Sequence, residues 1–218
     1  AKNICIVAEE KGINHIIFTS SVAVYGFAPI GTDESGEFNY FNDYGRTKLL
    51  AEKVYREWLV KTGNNTLTII RPTVVFGEEN RGNVYNLFKQ IAEGKFLMIG
   101  NGKNIKSMAY VGNLVSFLEY CITNKSGEYL FNYVDKPDFD MNTLVMAINK
   151  ELGREHKITF RLPCILGYIG GFILDIISKI IGKKFPISLV RVKKFCMNTM
   201  FNTSIANTLI NITIILDN

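Results

Sequence analysis

Apolar and polar positions along the chain follow two alternating periods. Residues 2–11 place Ile4, Val7 and Ala8 on one side at helical spacing, and Gly12 follows where a helix stop is expected. Ile16-Ile17-Phe18 is an unbroken apolar run, the pattern of a strand buried on both faces in a parallel sheet. Residues 22–42 scatter Gly, Pro, Asp and Ser and read as loop. Residues 43–62 predict a long amphipathic helix with Leu49, Leu50, Val54, Trp58 and Leu59 on its buried side. Leu67-Thr68-Ile69-Ile70 is the next buried strand, closed by Arg71-Pro72. A loop over 73–82, a helix over 83–93, a short strand near 96–99 and the turn Gly100-Asn101-Gly102 follow. Residues 112–123 read as helix, 128–133 as extended chain, and 140–152 as helix ending at Gly153. Alternation of helix and strand through residue 133 predicts an α/β fold on a mostly parallel sheet.

Two later stretches depart from this series. Residues 162–182 are mostly apolar and about as long as a membrane span. Asp175 and Lys179 interrupt the run and share a face, while Ile165, Ile169, Phe172, Ile173, Ile176 and Ile180 keep helical spacing. The stretch reads first as an amphipathic core or interface helix. A surface touching membrane or a lipid-linked partner, and a true span, are the alternatives. Residues 205–218 read as a β-prone, irregular tail to which the sequence assigns no task.

Composition narrows the classes. The chain has 218 residues, 47% apolar and 21% charged, which fits a globular protein of one domain or one and a half. Its net charge of +5, without a basic block longer than a Lys-Lys pair, gives no footprint for nucleic acid. Cys5, Cys121, Cys164 and Cys196 form no C-x-x-C and are expected as reduced core thiols of a cytoplasmic protein. His15 and His156 stand in unrelated contexts, leaving little material for a metal site or a Ser-His-Asp triad. The sequons at Asn64, Asn124, Asn202 and Asn211 read as composition in an Asn- and Thr-rich chain.

The candidate chemistry starts at Asp43-Tyr44-Gly45-Arg46-Thr47-Lys48. Tyr44 and Lys48, four apart, share one helix face. An ammonium near a phenol favours the phenolate and lets a tyrosine act as a base. The pair alone says little, since such spacing arises by chance. Upstream, Phe18-Thr19-Ser20-Ser21-Val22-Ala23-Val24-Tyr25-Gly26 is a strand ending in hydroxyls, and downstream stands Ile70-Arg71-Pro72-Thr73-Val74-Val75-Phe76-Gly77. Ile99-Gly100-Asn101-Gly102 and Lys106-Ser107-Met108-Ala109-Tyr110-Val111-Gly112-Asn113-Leu114 complete the set. Together, in this order, they closely resemble the extended short-chain dehydrogenase/reductase family, the NAD-dependent sugar-nucleotide epimerases and dehydratases. The likeness covers residues 1–155 well and the remainder loosely.

The resemblance implies the C-terminal part of a Rossmann-like doubly wound parallel sheet, with a smaller mixed α/β substrate-binding region. It implies Ser21, Tyr44 and Lys48 as catalytic residues, and Ser20, Tyr44, Lys48, Pro72 and Val74 at the cofactor, NAD or NADP. Ser21, Val22, Asn83 and Lys106 are implied for the substrate, a nucleotide sugar. Residues 1–78 are expected as a partial catalytic domain and 79–204 as mostly substrate-binding region, interleaved near 106–123 with the sheet; 205–218 is the tail. No G-x-x-G-x-x-G occurs, so the glycine-rich first βαβ unit is absent, and the expectation is the back half of a longer enzyme. Such a chain is expected to bind NAD poorly by itself; the tail suggests an altered or early-ended reading frame. A homodimer through the Tyr/Lys helix and its neighbour is implied for the full length. Dehydratases of the family carry Asp-Glu where this chain has Val22-Ala23, which disfavours elimination. The expected reaction is therefore epimerisation at C4 through a 4-keto sugar, in surface-polysaccharide or nucleotide-sugar metabolism. A 4-keto-sugar reductase and a non-catalytic remnant are the rivals.

Overall fold

The structure, a computed structural model, describes residues 1–154, 160–183, 185 and 188–209. In chain order the elements are α1 (Lys2–Glu10), β1 (His15–Thr19), a 3-10 turn (Val22–Val24), α2 (Asp43–Leu59), β2 (Thr66–Pro72), β3 (Val74–Phe76), α3 (Asn83–Ala92) and β4 (Met98–Ile99). There follow β5 (Ile105–Tyr110), α4 (Val111–Cys121), β6 (Gly127–Tyr133), β7 (Asp135–Asp140), α5 (Met141–Glu151), β8 (Arg161–Leu162), α6 (Cys164–Ile181), α7 (Leu189–Cys196) and α8 (Ser204–Leu209). Two compact units result. The first comprises Ala1–Glu79, Ser107–Lys136 and the chain from Met200; the second comprises Asn80–Lys106 and Pro137–Thr199.

In the first unit β1, β2 and β6 form a parallel sheet with β2 in the centre, His15–Thr19 aligned with Thr66–Ile70 and Thr66–Pro72 with Gly127–Tyr133. Every residue of β2 is buried, as a central parallel strand requires. Its side chains alternate between two cores. Leu67 and Ile69 pack with Ile16, Cys5 and Ala8 of α1, and Tyr55 and Trp58 of α2. Ile70 packs on the other face with Leu114, Phe117 and Cys121 of α4, Phe131 and Tyr133 of β6, and Ala206 of α8. Helices thus cover both sheet faces, the doubly wound arrangement that places ligands beyond the carboxyl ends of the strands.

The helix registers differ from expectation in detail. On α2 the buried series is Gly45, Leu49, Glu52, Tyr55 and Trp58, so Leu50 lies one residue off the stripe and is exposed. On α1 the sheet takes Cys5 and Ala8, leaving Ile4 and Val7 exposed. The expected loop at 73–82 contains β3, which pairs in parallel with β5 (Val74 with Met108, Phe76 with Tyr110). The start of the expected β-prone tail is instead helical, α8, with Ala206 buried in the cluster that holds α4. Residues 210–218 and His156 lie outside the described residues.

The second unit is built from β4 paired in parallel with β8, and from α3, α5, α6 and α7. Gly167 and Gly171 let α6 approach its neighbours. A Cβ on Gly171 would stand 2.9 Å from the Leu189 amide nitrogen, and one on Gly167 2.9 Å from Ile99. Asp175 is half-buried and accepts a hydrogen bond from the Leu189 amide at 3.0 Å, so it satisfies the first amide of α7, which Ser188 caps, rather than interrupting an outward face. The opposite side of α6 is apolar and exposed, so the helix is not a core helix among the described residues. Cys5 and Cys121 are buried as expected of core thiols, whereas Cys164 and Cys196 are half-buried with their Sγ atoms 3.0 Å apart.

Candidate active site

The carboxyl end of β1 leads through Ser20 into Ser21, whose backbone is extended (φ −167°, ψ 148°). Ser21 Oγ accepts a hydrogen bond from the Ala23 amide at 3.2 Å and so caps the 3-10 turn. That bond fixes the side chain while leaving the hydroxyl proton available for donation. The first turn of α2 is pinned in a similar way, Asn42 Oδ1 accepting from the Gly45 amide at 2.9 Å. Gly45 lets this turn press against the one that Ser21 starts: a Cβ there would stand 2.4 Å from the Ala23 carbonyl oxygen.

Tyr44, beside Gly45, is 53% exposed. Lys48 Nζ stands 5.7 Å from the Tyr44 ring centroid and 5.1 Å from that of Phe18, and it donates to the Thr19 carbonyl at 2.7 Å. Loss of water around the ammonium lowers the Lys48 pKa. Lys48 is therefore tied to the strand that delivers Ser21 while keeping two N–H groups for other partners. Pro72 ends β2 and is buried, and Val74 opens β3 and is exposed. Since Thr19 aligns with Ile70, Ser21 and Pro72 both lie just beyond the last aligned pair, at one edge of the sheet.

Beneath this edge lies a buried ion pair that pattern reading passed over. Arg71 and Glu52 are both fully buried and joined by two bonds, Nη2 to Oε2 at 2.6 Å and Nε to Oε1 at 2.9 Å. Ser20 Oγ donates to Glu52 Oε1 at 2.5 Å, and Arg71 Nη1 donates to the Tyr25 hydroxyl at 2.6 Å. Tyr25 in turn donates to Asn132 Oδ1 at 2.9 Å. Burial pushes the Glu52 carboxyl up, but the bonds and charge of Arg71, with Ser20, outweigh it and hold the group below its usual range. The Ser20 hydroxyl, expected at the cofactor, turns inward here because a buried carboxylate needs donors. An arginine ending the apolar strand at Ile69-Ile70 was the available signal, since such a charge demands a partner.

Val22 is half-buried in the 3-10 turn. In the second unit, Asn83 is exposed in the first turn of α3, which Gly82 precedes without a side-chain cap. Lys106 is largely enclosed there, its ammonium donating to the carbonyls of Lys194 at 2.7 Å and Met197 at 2.6 Å, and burial lowers its pKa to about 8. Among the described residues no cluster of three His, Cys, Asp or Glu could hold a metal.

A parallel sheet wrapped on both faces, with Tyr44, Lys48 and Ser21 gathered at its carboxyl edge, defines an α/β domain of the dinucleotide-dependent class. The chain belongs to the NAD dependent epimerase/dehydratase family, whose model matches residues 1–132. It is 52% identical, over 205 residues, to the N-acetyl-alpha-D-glucosaminyl-diphospho-ditrans,octacis-undecaprenol 4-epimerase of Escherichia coli O157:H7, covering 93% of this chain and 62% of that protein. It is 30% identical to the UDP-glucose 4-epimerase of Vibrio cholerae, over 74% of this chain and 49% of that one. Among solved structures it superposes on a UDP-glucuronic acid 4-epimerase from Bacillus cereus in complex with NAD (TM-score 0.66, 18% identity, 74% and 54% covered). The chain thus spans about half to three fifths of these relatives.

Proposed function

We propose that this chain carries the proton-handling part of a 4-epimerase acting on a hexose joined through a diphosphate. The carrying observation is the Lys48 ammonium, set between the Tyr44 ring and the Thr19 carbonyl at the strand end that delivers Ser21. In this reading Ser21 donates a hydrogen bond to the sugar O4, and Tyr44, as the phenolate, takes the hydroxyl proton from that oxygen. Lys48 favours the phenolate form and holds the ribose of the cofactor. NAD, when bound, supplies the reversible hydride acceptor for C4. Tyr44, Lys48, Pro72 and Val74 fit its nicotinamide end, because they lie along one edge of the first unit or beside it. Turning the 4-keto sugar over would present the other face of C4 for return of the hydride, while Tyr44 returns the proton to O4, which would leave the cofactor unchanged overall. Val22 and Ala23 carry no group able to move a proton, which disfavours loss of water.

The 52% identical relative supports an N-acetylhexosamine on a polyprenyl diphosphate as substrate; the Vibrio cholerae relative supports a nucleotide sugar. Contacts to the diphosphate are assigned to Asn83, at a helix start with unsatisfied amides, and to the third N–H of Lys106. We place the reaction in the cytoplasm and the subunits in a homodimer through α1 and α2, where Ile4, Val7 and Leu50 are exposed. The test offers both diphosphate-linked N-acetylglucosamines to the protein with NAD and scores the C4 epimer. Tyr44→Phe is expected to lower kcat by about 10²–10⁴. A net change in NADH absorbance during turnover points to the reductase instead, and full activity in Tyr44→Phe overturns the assignment.

A further inference from the structure

One face of α6 is covered and the other is apolar and bare. The covered face holds Gly167 and Gly171 against Ile99, Val192 and Leu189. On the opposite face Ile165, Ile169, Phe172, Ile173, Ile176 and Ile180 are each between 44% and 78% exposed. Their spacing of three and four makes a continuous stripe along an 18-residue helix, about 27 Å long at 1.5 Å per residue. An exposed apolar patch of this extent marks a surface with a partner.

Charge identifies the partner. The second unit, which contains α6, holds 15 Lys and Arg against 6 Asp and Glu, whereas the first holds 10 against 14. From residue 176 to 199 the chain has six basic residues and no acidic one. Lys179, Lys183, Arg191, Lys193 and Lys194 are all exposed. The acid of α6, Asp175, is turned inward to the Leu189 amide. A second copy would bring a like-charged surface against this one. An anionic lipid surface satisfies both features: the stripe enters the acyl boundary and the lysines meet the headgroups. By length and composition α6 could cross a membrane, but its covered face carries α7, whose Arg191, Lys193 and Lys194 would then enter hydrocarbon.

We propose that α6, with its basic C-terminal end and α7, is a docking surface for an anionic lipid bilayer, lying in the interface without crossing it. The inference does not depend on the reaction, and its test reads binding without substrate, so either can fail alone. The 218-residue chain is floated with vesicles of phosphatidylcholine, with or without about 30% phosphatidylglycerol. Binding is expected to the anionic vesicles and to weaken about tenfold or more on neutral ones, or at about 1 M salt where screening acts within ~3 Å. Ile169→Glu with Ile173→Glu, and separately Ile180→Glu, are expected to lower anionic-vesicle binding about tenfold or more. Val60→Glu, at an 81% exposed apolar site in the first unit, should leave it unchanged. No binding to anionic vesicles, or undiminished binding by folded α6 variants, overturns the proposal. So does an α6 variant that converts a dimer to a monomer, since a second copy would then cover the stripe.

Discussion

Replacing Glu52 with Gln tests the buried pair under the candidate site. Both partners are fully buried, and Glu52 accepts two bonds from Arg71, one from Ser20 and one from Arg56 at 3.3 Å. The amide keeps the shape but leaves the Arg71 guanidinium charge without its carboxylate, a loss of about 3–5 kcal/mol for a buried pair. In a protein of this size each kcal/mol moves Tm by about 2–4 °C, so a drop of roughly 6–20 °C is expected. The pH dependence fixes the cause. The Glu52 carboxyl sits below its usual range in the folded state, so its contribution is full above an unfolded pKa of about 4.3 and is lost as pH falls through the lower folded value. Glu34 behaves oppositely, because burial pushes its carboxyl up and its contribution grows on acidification. The gap between wild type and Glu52→Gln removes the part of the Glu34 contribution common to both chains and leaves Glu52 with its coupling through Arg71. Thermal unfolding of both chains from pH 7 to 3.5 measures that gap. A gap below about 1 kcal/mol at pH 7, or one that stays constant into acid, refutes the reasoning.

Gly45→Ala places a methyl 2.4 Å from the Ala23 oxygen, so it is expected to cost about 1–3 kcal/mol and to lower kcat more than it raises KM, by moving Tyr44 relative to Ser21; urea unfolding and steady-state kinetics read the two effects. Lys106 has a folded pKa of about 8 against 10.5, so stability should rise as pH climbs from about 8 to 10.5, and Lys106→Met should abolish that rise in urea titrations. Calorimetric titration of the 218-residue chain with NAD should show binding weaker than micromolar, because no glycine-rich turn is present to cradle the pyrophosphate; micromolar binding contradicts this.

What the sequence disclosed depended on whether burial leaves a periodic trace. Strands β1 and β2 are covered on both faces, so each contains a contiguous apolar run. β5 and β7 escaped notice because Lys106-Ser107 and Asp135-Lys136-Pro137-Asp138 break any apolar alternation. Glu52 was lost for a related reason: a carboxylate on an amphipathic helix reads as its wet side, although here it occupies a core position between Leu49 and Tyr55. Tyr44, Lys48 and Ser21 are proposed from their order along the chain, and the structure adds contacts that order could not give. It shows that Lys48 is anchored to the Thr19 carbonyl and that Gly45 allows the contact with Ala23.

The same limit applies to α6, where hydropathy assigned one value to a helix with two different faces. Sequence alone favoured a core or interface helix for the run of isoleucines and left a membrane-touching surface and a span as alternatives. Gly167 and Gly171, four apart, select the face that packs, and Asp175 follows them on it by accepting the Leu189 amide of α7. The isoleucines are thereby left on the outside, above a unit with more than twice as many basic as acidic residues. A bare apolar stripe costs nothing only while something other than water covers it. The surrounding charge then decides between another protein copy and a lipid surface, because a basic surface repels its own duplicate and attracts phosphate headgroups.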